Sequence, residues 1–324
     1  MVDRRIVLKG IAALACGMLA AGTARRVLAA ASADVSGREP GFFRLSVGDV
    51  EVTALLDGGG TIAPEILHGA PPQEIDTLLR HAGIDPQQGA PVDINAFLIR
   101  SGAHLLLVDT GAGTAFGKRA GLLPQSIRAA GCDPREIGVV LLTHLHADHA
   151  RGLVDGAGNA LFPQARVRVH EAEAAYWLGD GAEQRVSKRS LTGLAALAAA
   201  VAPYKEAGRF TTFATGETPA PGVEAVFLPG HTPGHCGYRI ASKGESILFW
   251  GDIVHCLAVQ FPRPEVSIDY DVDQAAAVAT RKPLMASLAG GREWVAGAHL
   301  PFPGLGRVTA AGTGYAWQPA RQAE

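Results

Sequence analysis

The feature that most constrains the fold of this chain is a run of metal-capable side chains directly after a short apolar segment. Residues 139–143 are apolar and β-branched, which indicates a buried strand. The six residues that follow are His144-Leu145-His146-Ala147-Asp148-His149. Imidazole and carboxylate ligands without thiolate suit zinc or a similar divalent ion. In an extended turn, His144 and His146 share a face while Asp148 and His149 point elsewhere, so this loop can serve two ions.

One loop cannot close two metal sites, so further ligands must come from strand ends farther along the chain. Three polar residues lie in that context: His231, Asp252 and His299. Each follows a short apolar run, and each has a small residue nearby that lets the backbone turn. Together with the four residues of the 144–149 loop they give seven candidate ligands.

Candidate strands and helices interleave along the chain, and hairpin signals are frequent. Gly48-Asp49 and Ser101-Gly102 each separate two β-rich runs, which predicts hairpins at 42–56 and 95–109. Further strands are predicted at 139–143, 166–170, 223–228, 246–250 and 293–298, and helices at 125–130, 171–178, 191–200 and 273–280. Apolar residues make up 48% of the chain and charged residues 19%, which is typical of a core-forming globular protein. This order predicts sheets packed together with helices outside, in a single domain at 34–324.

Residues 1–33 are predicted to be an export signal. Arg4, Arg5 and Lys9 form a basic start, residues 10–24 are apolar, and small residues at 29–33 offer cleavage sites. The two adjacent arginines resemble a twin-arginine signal. We therefore expect a periplasmic or secreted protein with no stable membrane anchor.

The charge of the remaining chain excludes some partners. The signal would remove five Lys/Arg and one acid from totals of 29 and 31, leaving 24 basic and 30 acidic residues and a net charge of −6. Nucleic acid is a poor partner for such a chain, because phosphates dominate that affinity.

The chain after residue 33 contains three cysteines, Cys132, Cys236 and Cys256, an odd number without CxxC spacing. We therefore expect them to be core residues, with a Cys236–Cys256 bridge left open.

The seven candidate ligands, in this order, resemble those of the metallo-β-lactamase superfamily. The resemblance implies an α+β fold, a four-layer αββα sandwich with metals at the sheet edges, and two divalent ions such as zinc. It assigns the ligands as follows: His144, His146 and His231 on one ion, Asp148, His149 and His299 on the other, and Asp252 bridging both as the catalytic carboxylate. It also implies that Asp109 orders the metal loop. We expect a supporting role near the metals for His235, in His231-Thr232-Pro233-Gly234-His235.

A narrower resemblance is carried by the residues around the last ligand. His299-Leu300-Pro301-Phe302-Pro303-Gly304-Leu305-Gly306 and Phe42-Phe43-Arg44-Leu45 are similar to the methyl parathion hydrolase group. This group contains secreted hydrolases of phosphotriesters, aryl esters and lactones, and it implies a homodimer. Phe116 and Trp177 are then expected to wall a pocket for a neutral, hydrophobic small molecule. Residues 187–194 lack the aromatic that this group tends to place near the leaving group, so a lactone substrate is kept as the alternative.

The predicted reaction is hydrolysis by a hydroxide held between two metal ions. A zinc β-lactamase is disfavoured because Asp252 stands where those enzymes use Cys or Ser. A glyoxalase II-like thioesterase would need an added helical region, for which the residues after His299 are too few. The alternative from a different reaction class is a persulfide dioxygenase-like oxidoreductase, which uses one iron. Metal content separates it from a hydrolase with two zinc-like ions.

Overall fold

The computed structural model describes residues 41–321, which form two large sheets, one small sheet and the helices that cover them. The strands are β1 (Phe42–Val47), β2 (Val50–Ile62), β3 (Leu67–His68), β4 (Ala90–Ser101), β5 (His104–Val108), β6 (Val139–Leu141), β7 (Arg166–His170), β8 (Phe210–Phe213), β9 (Val223–Phe227), β10 (Cys236–Ser242), β11 (Glu245–Phe249), β12 (Ser267–Ile268), β13 (Trp294–Ala296), β14 (Leu305–Ala311) and β15 (Gly314–Pro319). The helices are α1 (Pro72–His81), α2 (Leu123–Ala129), α3 (Ala147–Ala150), α4 (Glu171–Leu178), α5 (Ala182–Arg185), α6 (Lys188–Glu206), α7 (Leu257–Gln260) and α8 (Gln274–Ala289).

The first sheet has the order β1-β2-β4-β5-β6-β7-β8, and the second has the order β15-β14-β13-β11-β10-β9. Strands β5 to β8 run parallel, as do β11 and β13, while the other neighbours in both sheets are antiparallel. The carboxyl ends of parallel strands lie at one edge of a sheet, so the loops after β5 and β6, and those after β11 and β13, leave from shared edges.

The two sheets pack face to face because their strands alternate apolar side chains with period two. In β4, Phe97 and Ile99 point into the core between the sheets, where they join Tyr238 and Phe249 of the second sheet. Leu98, in the same strand, points the other way, into the core beneath the outer helices. Strands buried on both faces therefore divide the interior into separate layers.

Helices cover the outer face of each sheet. On the first sheet, α2, α4 and α6 contribute Ile127, Trp177 and Val201 to one core. On the second, α8 contributes Met285 and Leu288. The layers are thus helix, sheet, sheet, helix, which confirms the predicted α+β, four-layer αββα sandwich.

Several predicted boundaries differ from the structure. The strand predicted at 139–143 ends at Leu141, and Asp148 and His149 lie in a helical turn, α3, rather than an extended one. The helices predicted at 191–200 and 273–280 run over Lys188–Glu206 and Gln274–Ala289. Strands β3, β8, β10, β12, β14 and β15 and helices α1, α5 and α7 had not been predicted.

The three cysteines of the described residues are buried and free, which agrees with their predicted role as core residues and gives no Cys236–Cys256 bridge. Within residues 41–321, none of the helices combines the length and the apolar character needed to cross a membrane. The predicted export signal at 1–33 lies outside the described residues. The homodimer stays a prediction.

Candidate metal centre

The candidate ligands follow strand ends of both sheets. The loop after β6 supplies His144, His146, Asp148 and His149; the loop after β9 supplies His231; the loop after β11 supplies Asp252; and the loop after β13 supplies His299. Parallel pairing of β11 with β13 places the last two beside each other. The structure brings all seven predicted residues together at one edge of the sandwich.

The ligand atoms form two adjacent groups. Those of His144, His146, His231 and Asp252 lie within 4.8 Å of one another, and those of Asp148, His149 and His299 form a second such group. Asp252 reaches both, because its Oδ2 lies 3.2 Å from His231 Nε2 and 3.2 Å from His299 Nε2. Its Oδ1 lies 3.2 Å from His149 Nε2. This is the arrangement expected of a carboxylate shared by two ions.

The residues present fit metal ions. His144 Nε2, His149 Nε2 and Asp252 Oδ1 are buried and make no hydrogen bond to any described residue, which is costly for polar atoms unless another partner satisfies them. Ligands at about 2.0–2.1 Å from a tetrahedral ion lie roughly 3.3–3.4 Å apart. The separations of 3.2 Å for His231–Asp252 and 3.6 Å for His144–Asp252 match that spacing.

The electrostatics of the cluster favour an ionised Asp252. Burial alone would raise its pKa, but the surrounding imidazoles, His149 first, hold that pKa well below its usual range. Burial alone would lower the pKa of His231, yet the Asp252 carboxylate overrides this and raises it to about 9. Burial lowers the pKa of His144 and His146 well below the ordinary value, so they are neutral donors ready for a metal.

Asp109 contacts the loop that carries four of the candidate ligands. Its Oδ1 accepts from the Thr143 backbone N–H at 2.8 Å, and its Oδ2 lies 2.9 Å from His149 Nδ1. The backbone of Asp109 has a φ of +60°, a conformation that non-glycine residues rarely adopt. The contact to Nδ1 leaves His149 Nε2 free to face Asp252.

His235 supports Asp252 from behind. Its Nε2 accepts the Asp252 backbone N–H at 3.0 Å, and its Nδ1 donates to the Leu228 carbonyl at 2.9 Å. Burial lowers the pKa of His235 to about 3, so the ring is neutral with its proton on Nδ1. The predicted supporting residue therefore fixes the backbone that carries the shared carboxylate.

Asp271 orients His231 and had not been predicted. Its Oδ1 lies 2.9 Å from His231 Nδ1, and its Oδ2 accepts from the Ile268 backbone N–H at 3.2 Å. The buried guanidinium of Arg281 lies 3.8 Å from Oδ2. A carboxylate behind a metal-binding imidazole fixes its tautomer and makes it a better donor.

Glu173, on α4, is the second residue that had not been predicted. It is fully buried, and it accepts hydrogen bonds from both the 144–149 loop and the 231–235 loop. The sequence carries one signal for Glu173: an acid that lies four residues before Trp177, on the same face of a helix. Such a face ordinarily packs against the hydrophobic core. For Asp271, the sequence around it offers no comparable signal.

His255 also lies against the centre. Its Nε2 is 3.0 Å from Asp252 Oδ2, and its ring stacks on that of His299 with centroids 5.1 Å apart. Asp252, His255 and His299 form a third group whose ligand atoms lie within 4.8 Å. His255 is therefore one more donor within reach of an ion near Asp252.

A cavity of about 710 Å³ opens on the cluster. His146, Asp148, Asp252 and His299 line it, and so do both predicted wall residues, Phe116 and Trp177. Apolar side chains complete much of the wall: Ile62, Val92, Ile94, Val186, Leu194 and Leu197. Trp177 is nearly buried and donates to Glu173 at 2.6 Å, so it is as much a core residue as a wall.

Comparison with known proteins places this geometry in a family. A family model described as the metallo-beta-lactamase superfamily matches residues 89–284. The crystal structure of hydrolase AbOPH in the beta lactamase superfamily is 37% identical with a TM-score of 0.85, covering 89% of this chain and all of that one. The chain therefore belongs to the metallo-β-lactamase superfamily.

Two further relatives are similar over different extents. AidC, a dizinc quorum-quenching lactonase in complex with a product, is 26% identical with a TM-score of 0.78, covering 88% of this chain and 99% of that one. The lactamase-like protein adaB of Aspergillus niger is 36% identical over 182 residues, 56% of this chain and 45% of adaB. The chain spans under half the length of the curated relatives that it matches.

Proposed function

We propose that this protein hydrolyses neutral, hydrophobic esters at a two-ion centre, with phosphotriesters and aryl esters of the methyl parathion hydrolase type as its main substrates. The observation that carries the proposal is the direct opening of the ligand cluster onto a cavity whose lining includes many apolar and aromatic side chains. Such a wall favours an uncharged, hydrophobic substrate, while the polar groups at the bottom fix the reacting bond.

We assign one ion to His144, His146 and His231, the other to Asp148, His149 and His299, and Asp252 to both. When bound, a pair of divalent ions such as zinc activates water at neutral pH and polarises the substrate oxygen. The two ligand groups, each compact and joined through Asp252, support this assignment.

The chain's own residues hold the ligands in register. Asp109 and Asp271 each face the Nδ1 of a ligand histidine, His149 and His231, at 2.9 Å. His299 is held the same way, because its Nδ1 donates to the Asp93 carbonyl at 2.9 Å. With Nδ1 occupied, each ring presents Nε2 to the centre. Asp252, fixed through its backbone by His235, is positioned to guide the proton after attack.

The walls select the substrate and limit water. Phe116 is half-buried and lines the cavity from the loop that follows Asp109, and Leu194 and Leu197 line it from α6. A site walled in this way strengthens the electrostatic interactions at its base. We expect Phe116→Ala to raise KM for aryl substrates more than it lowers kcat, because the ring contacts the substrate away from the reacting bond.

A lactone is the second candidate substrate. The specific support is the 26% identity and TM-score of 0.78 with AidC, whose structure contains the acylated homoserine product of a lactonase. A lactone is a neutral ester, and it fits the same apolar cavity. The persulfide dioxygenase-like alternative differs in its metal, since it uses one iron.

The test is a comparison of kcat/KM for methyl paraoxon, phenyl acetate, dihydrocoumarin and an N-acyl-homoserine lactone, with metal content measured on the same sample. We expect two zinc-like ions per chain and the highest kcat/KM on the phosphotriester or aryl ester. Asp252→Ala should lose metal and activity together, whereas Asp49→Ala, at an exposed ion pair with Lys243, should keep both. Hydrolysis that survives stripping by a chelator, or one iron per chain, contradicts the proposal.

We also propose that residues 1–33 direct export by the twin-arginine route. The support is the pair Arg4-Arg5 before the apolar run at 10–24. Replacing both arginines by lysine should leave the protein in the cytoplasmic fraction of an expressing bacterium. Unchanged recovery from the periplasm would contradict this route.

A further inference from the structure

A single buried carboxylate contacts both ligand loops of the centre. Oε1 of Glu173 accepts from the Leu145 backbone N–H at 2.9 Å and from Trp177 Nε1 at 2.6 Å. Oε2 accepts from Thr232 Oγ1 at 2.7 Å and from the Gly234 backbone N–H at 3.0 Å. Glu173 is fully buried, so these four donors replace the water that the carboxylate loses on folding.

The donors sit beside ligands of one group only. Leu145 lies between His144 and His146, and Thr232 follows His231. These three histidines share a ligand group, while Asp148, His149 and His299 form the other. The 144–149 loop leaves the first sheet and the 231–235 loop leaves the second. The Glu173 side chain therefore joins one loop of each sheet, at the place where the three imidazoles meet.

The fit around Glu173 is close. A Cβ added at Gly234 would meet the Glu173 backbone nitrogen and lie 2.6 Å from its Cα and Cβ. The loop of His231 thus lies directly on α4. A glutamine at 173 would keep one acceptor oxygen, and its NH₂ group would face two of the donors, which leaves buried donors without acceptors.

We propose that Glu173 is a positioning residue that sets the spacing between the His144/His146 loop and the His231 loop, and so selectively supports the ion those three histidines would bind. The inference rests on the proposed two-ion centre. Its distinctive consequence is asymmetry, because loss of Glu173 should weaken one ion and largely spare the other. A residue needed only for folding would weaken both.

Trp177 extends the contact to the cavity wall. Its ring meets that of His146 edge to face, with centroids 5.2 Å apart. Because its Nε1 donates to Glu173, the same carboxylate orients the wall beside His146. Removing Glu173 should therefore change the Trp177 fluorescence, identified by subtraction of a Trp177→Phe spectrum.

The experiment is titration of metal-free protein with Zn²⁺ against a chromogenic chelator, for the wild type and Glu173→Gln. We expect one of the two dissociation constants to rise about 10–100-fold and the other to change little. Asp57→Asn is the matched control, because Asp57 is equally buried but accepts from Ala112 and Leu123 instead. It should lower the melting temperature and leave both constants as in the wild type.

Thr232→Val keeps the inference testable if Glu173→Gln does not fold, since it removes one of the four donors. It should raise the same constant by a smaller factor. If the wild type binds no zinc, the two-ion function itself fails. If the wild type binds two ions and both variants bind them as the wild type does, or lose both equally, the role of Glu173 is overturned.

Discussion

At the scale of single residues, the charged and polar groups of the centre contact one another directly. Asp252 is surrounded by imidazoles of both ligand groups, and the imidazoles are in turn held by Asp109, Asp271 and backbone carbonyls. His149, His231 and His299 thus each have one nitrogen turned to the centre and the other occupied. Removing one of these outer groups should change metal affinity without touching a ligand.

Asp271→Asn should weaken metal binding by about 10–100-fold, because an amide is a poorer acceptor for His231 Nδ1 than a carboxylate. The buried Arg281 would also lose its charged neighbour, so stability should fall. Zinc titration and thermal melting measure the two effects. Asp269→Asn is the control, since Asp269 is exposed and pairs with His68. Equal zinc affinity in Asp271→Asn and the wild type would contradict the assignment.

Asp57 should make stability depend on pH. Burial raises its pKa from 3.8 to about 6, despite hydrogen bonds from Ala112 and Leu123. The folded state therefore holds the proton more tightly than the unfolded state. The resulting stabilisation is fully present below pH 3.8 and is lost as the pH rises through 6.

Between pH 8 and pH 5, the wild type should gain about 1.4 kcal/mol of unfolding free energy relative to Asp57→Asn. Urea denaturation of both proteins at the two pH values measures this difference. The comparison cancels the titration of groups that the two proteins share. A difference that stays constant with pH would show that Asp57 ionises normally.

At the scale of elements, the sequence predicts the strands and loops that are determined by a local pattern of residues. The β-rich runs on either side of Gly48-Asp49 and Ser101-Gly102 predicted β1, β2, β4 and β5. The 144–149 loop was recognisable because its four candidate ligands are adjacent. The C-terminal extent of α6 was not predictable from local pattern, since it involves Tyr204, whose hydroxyl donates to the distant Leu153 carbonyl. The roles of Glu173 and Asp271 could not be predicted from the sequence, because they arise only when α4 and the loop before α8 contact the ligand loops in the folded protein.

Gly234→Ala should disrupt the element contact between α4 and the 231–235 loop. The added methyl group would meet the Glu173 backbone, which cannot move without shifting the helix. We expect a loss of about 1–3 kcal/mol in stability and a large fall in zinc affinity. Gly193→Ala in α6 is the matched control, because its added Cβ has no described atom within 4 Å. It should gain up to about 1 kcal/mol from helix propensity.

Chemical denaturation and zinc titration of both variants decide between the two outcomes. If Gly234→Ala keeps wild-type stability and zinc affinity, the loop has room to move away from α4. The contact would then not determine the position of His231.

At the scale of the whole molecule, the centre lies where side-chain hydrogen bonds join the two sheets. Asn95 of β4 donates to the Gly297 and Leu300 carbonyls at 3.2 and 2.8 Å, beside His299. His299 in turn donates to the Asp93 carbonyl. Four of the seven ligands come from a loop of the first sheet and three from loops of the second. Ions held by all seven would therefore link the two halves of the sandwich.

Metal removal should therefore lower the stability of the entire fold rather than of one loop. An ion that binds only the folded state adds about 2.7 kcal/mol when present at 100 times its dissociation constant. For a domain of this size, chelation should lower the melting temperature by roughly 5–10 °C. Asp252→Ala should melt at the same temperature with and without chelator, because it has lost the carboxylate that both ligand groups share. A chelator-induced shift of equal size in Asp252→Ala would place the stabilising ion elsewhere. No shift in the wild type would mean that the sheets are held by their cores and by Asn95 without help from metal.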